Sequence, residues 1–452
     1  MTMHRFPLAS PALALAMSLG MSLGLSLAFT GAAQAQSLVE LFDAARATDS
    51  TYQSAKAQYD ANLAKADQAK AYILPTVGAS AGLTRTMVDG SNPSVDSNYT
   101  TQTATISGSQ PLYRPANRIN YQQGLKLVDV AEAQLAAAEQ DLVVRVAQAY
   151  FDVLGAGDTL AFVRAQKTAV AEQLASAKRN FEVGTATITD TREAQAQFDL
   201  VRAQEIAADN DLLVKKLALD TLVSRVNAQP TPLALPVVLP TVQAADISTW
   251  VQQAESLQPN VVQAKVALDV ARLETQKAKA GNLPTLDLTA GYNVNRYPNG
   301  TTSLPNNSRN NGGSIGLSLN IPLFAGFSIQ NRIRETLSLE DKAQADLDAA
   351  RRAVTQATRA AFYGVLSGAG QVNALEAAEA SSQIALDANK LGYQVGVRIN
   401  IDVLNSQSQL FQTKRDLAQA RYNVLLGGLK LRQASGSLKP EDLLAVNALL
   451  VR

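Results

Sequence analysis

The amino-acid sequence predicts a mixed α and β membrane protein: mostly long coiled-coil helices, with four strands per chain contributing to a β-barrel, built by internal duplication. Three observations predict this class. One long pattern occurs twice, with Ala55 to Leu74-Pro75-Thr76 answered by Ala264 to Leu283-Pro284-Thr285. Two long helical stretches contain no proline. Four short segments alternate strictly between apolar and polar or small residues, yet beyond the leader there is no run of apolar residues long enough for a membrane helix. The remaining way across a bilayer is a closed β-barrel, because any other backbone leaves hydrogen-bonding groups unpaired in lipid.

Residues 1–35 read as a signal peptide. Arg5 precedes a stretch from Leu8 to Thr30 that is nearly all Ala, Leu, Met, Ser and Gly, and Ala33-Gln34-Ala35 supplies the small-x-small cleavage pattern. There is no cysteine, hence no disulfide framework and no lipidated N-terminal cysteine. The only histidine, His4, leaves with the leader. Ser-His-Asp triads, Cys-His pairs and thiolate or imidazole metal sites are thereby excluded, and no cofactor is expected. Lys and Arg number 40 against 39 Asp and Glu, and the loss of Arg5 balances them, so charge gives no reason to expect nucleic acid.

The first repeat covers 36–228. It opens on a helix rich in Ala, Gln and Lys, then strands at about 75–88 and 98–110, a long helix at about 116–182 and another at about 187–226. Pro115 stands where a first helical turn tolerates proline. If continuous, the long helix would extend about 100 Å at 1.5 Å per residue. Val128, Leu135, Leu142 and Ala149 fall at heptad spacing. A pro-rich stretch at 229–245 reads as an extended connector. The second repeat, 246–440, places strands at about 284–297 and 312–322, a long helix at about 327–393 with Leu347, Val354 and Ala361 in heptad, and a helix at about 399–434; a segment at 441–452 ends the chain. Helix periodicity alone leaves a second reading open, in which Gly155 and Gly157, and Gly368 and Gly370, break each long helix into a hairpin.

The strands carry the membrane argument. Val77, Ala79, Ala81 and Leu83 alternate with small or polar residues, as do Leu286, Leu288, Ala290, Tyr292 and Val294, and Ile315, Leu317, Leu319 and Ile321; Ala104, Ile106 and Gly108 repeat the pattern more weakly. That period suits strands with one face in lipid and the other in a wet lumen. Asp287 falls on the polar face, where its charge is expected to stay hydrated, and Arg85 on the apolar register marks the end of the first lipid-embedded segment near Thr84. Asp89-Gly90-Ser91-Asn92-Pro93 and Pro298 to Gly312 read as the hairpin loops. Four strands cannot close a barrel, so the chain is expected to oligomerise; three copies give twelve strands, although periodicity alone does not select three over four.

The order of helix, strand hairpin, very long helix, Val-Gly turn and helix, stated twice, resembles the TolC family of outer-membrane channel proteins. Ala149-Tyr150-Phe151-Asp152-Val153-Leu154, Phe181-Glu182-Val183-Gly184, Leu283-Pro284-Thr285-Leu286-Asp287-Leu288 and Gly392-Tyr393-Gln394-Val395-Gly396 carry the resemblance, with Asp402-Val403-Leu404, Ala420-Arg421-Tyr422-Asn423 and Asp442-Leu443-Leu444-Ala445. The resemblance implies continuous long helices and a homotrimer. It places a twelve-stranded β-barrel in the outer membrane of a Gram-negative bacterium and a periplasmic α-barrel below it. It further implies a passive exit duct for efflux or type I secretion, supplied by a periplasmic adaptor (membrane fusion) protein and an inner-membrane pump of ABC or RND type. Without a cysteine to lipidate, the chain sits with the unlipidated members.

Carried onto this sequence, the resemblance puts a periplasmic gate at Thr189, Asp190, Tyr393 and Arg398. It puts adaptor-contact helix tips at Val183, Gly184, Thr185, Val395, Gly396 and Val397, and a luminal acidic ring at Asp402, with Asn405 replacing a second acid. An arginine guanidinium and a tyrosine hydroxyl can both donate to one carboxylate, here expected to be Asp190. A periplasmic coiled-coil scaffold or adaptor without a pore would share the helices but have no use for four lipid-facing strands. An enzyme is disfavoured, since Asp287 and Asp402 have no visible acid–base partner.

Overall fold

The computed structural model describes residues 36–88, 97–234, 236–237, 239, 246–301 and 307–451. The leader, the first hairpin loop, part of the second and most of the later connector lie outside the described residues. The elements run α1 (Leu38–Thr48), α2 (Ser50–Ala71), β1 (Thr76–Val88), β2 (Ser97–Tyr113), α3 (Pro115–Glu182) and α4 (Ile188–Val223). They continue as α5 (Ile247–Leu257), α6 (Pro259–Ala280), β3 (Thr285–Tyr297), β4 (Ser308–Asn320), α7 (Ser328–Gln394), α8 (Asn400–Ala434) and α9 (Asp442–Asn447).

Both long helices are continuous, 68 residues in α3 and 67 in α7. Two of the four glycines that could have broken them serve packing instead, while Gly157 and Gly370 face open space. A Cβ on Gly155 would come within 3.1 Å of the Gln419 side chain, and one on Gly368 within 3.0 Å of Val424, so both let α8 approach closely. Pro115 and Pro259 occupy first-turn positions of α3 and α6, where the missing N–H costs nothing. Ser37 and Glu40 form a reciprocal capping box at the start of α1.

The largest core lies where the short helices meet the middle of the long ones. Leu38, Leu41 and Phe42 of α1 pack with Leu142, Val146 and Tyr150 of α3, Leu219 of α4, and Leu425 and Leu429 of α8. Tyr150, fully buried, donates its hydroxyl to the carbonyl of Thr231 at 2.7 Å. That bond ties the connector down, as does the backbone: Gln36 bridges Pro230 in parallel and Leu233 bridges Leu450 antiparallel. Start, connector and end of the described chain thus meet at one level.

The four strands form one antiparallel sheet in the order β1-β2-β3-β4. Register brings the separate alternations onto a single face. Val77 pairs with Gly108, Gly108 with Ala290 and Ala290 with Ile315; the next row on that face is Ala79, Ile106, Tyr292 and Gly313. The other face carries Ser80, Thr105, Asn293 and Gly312, and Gly78, Ser107, Gly291 and Ser314 occupy adjoining positions. The apolar rows stop at Leu83, Gln102, Arg296 and Arg309. From Leu286 to Val294 the apolar face covers about 27 Å along the strand at 3.4 Å per residue, of the order of the roughly 25 Å apolar band of an outer-membrane barrel.

Four expectations need correction here. β4 spans Ser308–Asn320 instead of about 312–322, because Arg309, Asn310 and Asn311, which read as loop, continue the ladder opposite Arg296, Asn295 and Val294. β2 continues to Tyr113 past Pro111, where the register shifts, as expected of a residue with no N–H to give the ladder. α4 ends at Val223 and not near 226, since Ser224 turns left-handed at φ 50°. Asp287 is not a hydrated lumen charge either. It is 8% exposed, and Arg114, at the foot of α3, grips it with Nε to Oδ1 at 2.7 Å and Nη2 to Oδ2 at 2.6 Å.

Candidate functional site

Two helix-turn-helix tips share one backbone design. α3 ends with Thr185 N–H donating to the Asn180 carbonyl (2.8 Å) and Gly184 N–H to that of Phe181 (3.0 Å); α7 ends with Val397 N–H to Gly392 (2.9 Å) and Gly396 N–H to Tyr393 (3.2 Å). These are paired Schellman closures, and they require a left-handed residue. Gly184 at φ 79° and Gly396 at φ 80° supply it. Val183, Val395 and Val397 stand exposed beside them.

The following helices begin differently. Thr187 and Asp190 make a capping box at the start of α4: the Thr187 N–H and hydroxyl donate to Asp190 Oδ2 at 2.9 and 2.7 Å, and the Asp190 N–H returns a bond to Thr187 Oγ1 at 3.2 Å. In the second tip Ile399 takes the place of Thr187, so α8 has no side-chain cap. Its equivalent acid, Asp402, lies instead 3.7 Å from Arg398 Nη1.

Asp190, Tyr393 and Arg398 line one cleft of ≈ 800 Å³ together with Gln173, Lys390 and Asn400. The expected donation from Arg398 and Tyr393 to the Asp190 carboxylate is not among the described bonds of the single chain. Asp190 serves its own cap, Arg398 faces Asp402, and the Tyr393 hydroxyl accepts from Asn180 Nδ2 at 3.4 Å. Thr189 is exposed and outside the cleft lining. Asp402 is half-buried and Asn405, less than a turn further along α8, is exposed.

Sequence reasoning missed Asn400. This residue is fully buried at the first position of α8, accepts from Gln173 Nε2 of α3 at 2.6 Å, and donates from Nδ2 to the Asp190 carbonyl of α4 at 3.1 Å. The signal was available in the repeat itself: the equivalent position in the first tip is Ile188, and an amide in place of an aliphatic residue implies a polar partner once buried.

Among the described residues no helix is long and apolar enough to cross a membrane, and no group of His, Cys, Asp and Glu is arranged to hold a metal. The sheet exposes Val77, Leu83, Ile106, Ile315, Leu317 and Leu319 on its apolar face. Phe324 and Phe327 stand exposed at its foot, edge to face at 5.4 Å.

A model of the outer membrane efflux protein family matches residues 41–225 and 250–437. The chain belongs to that family. Outer membrane protein TolC of Vibrio cholerae is 33% identical over 419 residues, covering 93% of this chain and 95% of the relative. TolC of Escherichia coli is 31% identical over 93% of this chain and 86% of its own length. The alkaline protease secretion protein AprF of Pseudomonas aeruginosa is 29% identical over 92% and 88%. Among solved structures, the outer membrane protein VceC of Vibrio cholerae matches with a TM-score of 0.77 at 19% identity, covering 89% of this chain and 96% of that one; at that identity the likeness concerns the fold. As a member of that family the chain is an outer-membrane protein, an exit duct of efflux and secretion systems.

Proposed function

We propose that the chain works as a homotrimer in which three four-stranded sheets close one twelve-stranded barrel and the long helices, from two duplicated repeats, close one periplasmic α-barrel. The observation that carries this reading is the sheet itself: one apolar face, one polar face, and two open edges, β1 and β4. Open edges do not persist in lipid, and four strands cannot close on themselves. Exposed apolar residues on the helices support the same assembly, with Tyr363, Leu366, Ile384 and Leu391 at heptad-like spacing along α7 and Leu213 and Leu217 on α4.

In this reading the tips carrying Val183, Gly184, Thr185, Val395, Gly396 and Val397 receive the periplasmic adaptor, behind which stands an inner-membrane pump. Thr189, Asp190, Tyr393 and Arg398 form the gate beside them, and three copies of Asp402 form the luminal ring, with Asn405 where a second ring would stand. Exposed polar links are individually worth about 0–1 kcal/mol, so a partner can undo them. The test is the mass of the detergent-solubilised protein together with its conductance in planar bilayers. A trimer that conducts is expected; a folded monomer would overturn both barrel and duct.

A further inference from the structure

We propose that Asn400 is the pin that holds the two helical hairpins of one chain together at the periplasmic tip, so that its amide sets how readily the gate opens. This rests on the gate reading above and adds a positioning residue to it. The tip of each hairpin is closed by its own backbone. Val170, Leu174, Ala177, Ala194 and Val201 pack α3 on α4, with Leu404 of α8 in the same cluster and Ile401 against it, and Leu386, Val403 and Leu410 pack α7 on α8. The hairpins thus meet through an apolar contact from α8, which has no preferred direction, and through polar bonds that fix their position: Ser408 accepts from Gln197 at 2.8 Å and Gln166 at 3.3 Å, and nearer the turn stands Asn400.

Asn400 bridges both helices of the first hairpin from the first turn of the second. The Asp190 carbonyl can only accept, which orients the Asn400 amide with Nδ2 toward it and leaves Oδ1 to take the Gln173 amide. A second bond, Asn180 Nδ2 to the Tyr393 hydroxyl, is long at 3.4 Å and weaker. Arg398 is spent on Asp402 within its own hairpin. Asn400 is the member of this set that is fully buried, where water cannot replace what its bonds supply.

Opening the tip must separate the hairpins and break both Asn400 bonds. Replacing a pair of neutral hydrogen bonds is expected to shift the closed-to-open balance by about tenfold per chain. Two substitutions separate a pin from a mere packing role. Asn400→Leu keeps the branched shape and the number of heavy atoms and removes both bonds. Asn400→Asp favours the start of α8 through the helix dipole and can still accept from Gln173, but it turns an oxygen toward the Asp190 carbonyl.

The experiment compares single-channel conductance of the assembled full-length protein in planar bilayers for wild type, Asn400→Leu, Asn400→Asp and Arg398→Ala. We expect both Asn400 substitutions to raise conductance. If Arg398→Ala raises conductance while the Asn400 variants do not, the pin is wrong and the gate reading stands. A rise with Leu but not with Asp would make position 400 a packing site and overturn the pin. If none of the variants differs from wild type, gate and pin fall together.

Discussion

Arg114→Ala tests how the barrel is seated on the helices. Arg114 stands at the foot of α3 and Asp287 on the polar face of β3, joined by two bonds of 2.7 and 2.6 Å. Two unit charges about 4 Å apart attract by about 4 kcal/mol at an effective dielectric near 20. The Arg114 side chain is 45% exposed, so water screens part of that, and a net contribution of about 2 kcal/mol per chain is the reasonable figure. The larger consequence is what remains: Asp287, 8% exposed, loses the guanidinium that compensates its charge. Arg114→Ala should therefore lower the temperature at which the detergent-resistant oligomer dissociates, read by gel mobility after stepped heating. Arg114→Ala combined with Asp287→Asn should recover most of the loss, because no uncompensated carboxylate is left. If the single and double variants dissociate at the same temperature, the buried charge is not what the arginine compensates, and the junction argument fails.

Other tests address the helices and tips. Arg398→Ala and Tyr393→Phe should each raise bilayer conductance, and unchanged conductance in both and in the double variant would remove these residues from the gate. Block by trivalent cations should tighten with Asn405→Asp, which adds a second carboxylate ring, and weaken with Asp402→Ala; equal block in all three proteins would withdraw the ring. Glu274 is pushed toward the neutral form by burial, but bonds from Gln123, Arg332 and Lys277 outweigh this and hold its carboxyl at about 2. A depressed acid contributes stability above its unfolded value near 4.5 that is lost as pH falls toward 2, worth at most about 3 kcal/mol. Glu274→Gln should flatten the acid dependence of thermal dissociation in that window, and an unchanged slope would show that the cluster is not the acid-sensitive link.

The strands were legible because a wall between lipid and water imposes a period of two on every segment crossing it. Four independently read phases then had to land on one face, and Val77, Gly108, Ala290 and Ile315 do so in register. The long helices were legible as proline-free heptad stretches, but their continuity past Gly155 and Gly368 was not, since the reason for those glycines is the approach of α8 from far along the chain. The same limit hid Arg114–Asp287 and Gln173–Asn400, whose partners are 173 and 227 residues apart. The Asp190 cap is a different failure. Thr187-x-x-Asp190 is a local helix-start pattern, readable from spacing alone, and assigning Asp190 to the gate left its nearer obligation unnoticed.

The two tips show why equal backbones need unequal side chains. With the same glycine turn and the same carbonyl closures, identical residues at equivalent positions would present like groups to like groups wherever the hairpins meet. Here the equivalents differ: Asn180 against Gly392, Ala186 against Arg398, Thr187 against Ile399, Ile188 against Asn400. At the tips, the bonds from Asn180 to Tyr393 and from Asn400 to Gln173 and Asp190 each join a residue that only one hairpin has to something in the other. The first hairpin, with its side-chain cap, has its acid satisfied internally; the second leaves an acid and an arginine exposed to each other and to neighbours. In the ring of alternating hairpins proposed above, these bonds occupy the face that each hairpin turns toward its partner in the same chain, and a different face would meet the next chain. Loosening the bonds inside each chain therefore need not release its neighbours, and an opening motion that begins there is expected to leave the proposed ring assembled.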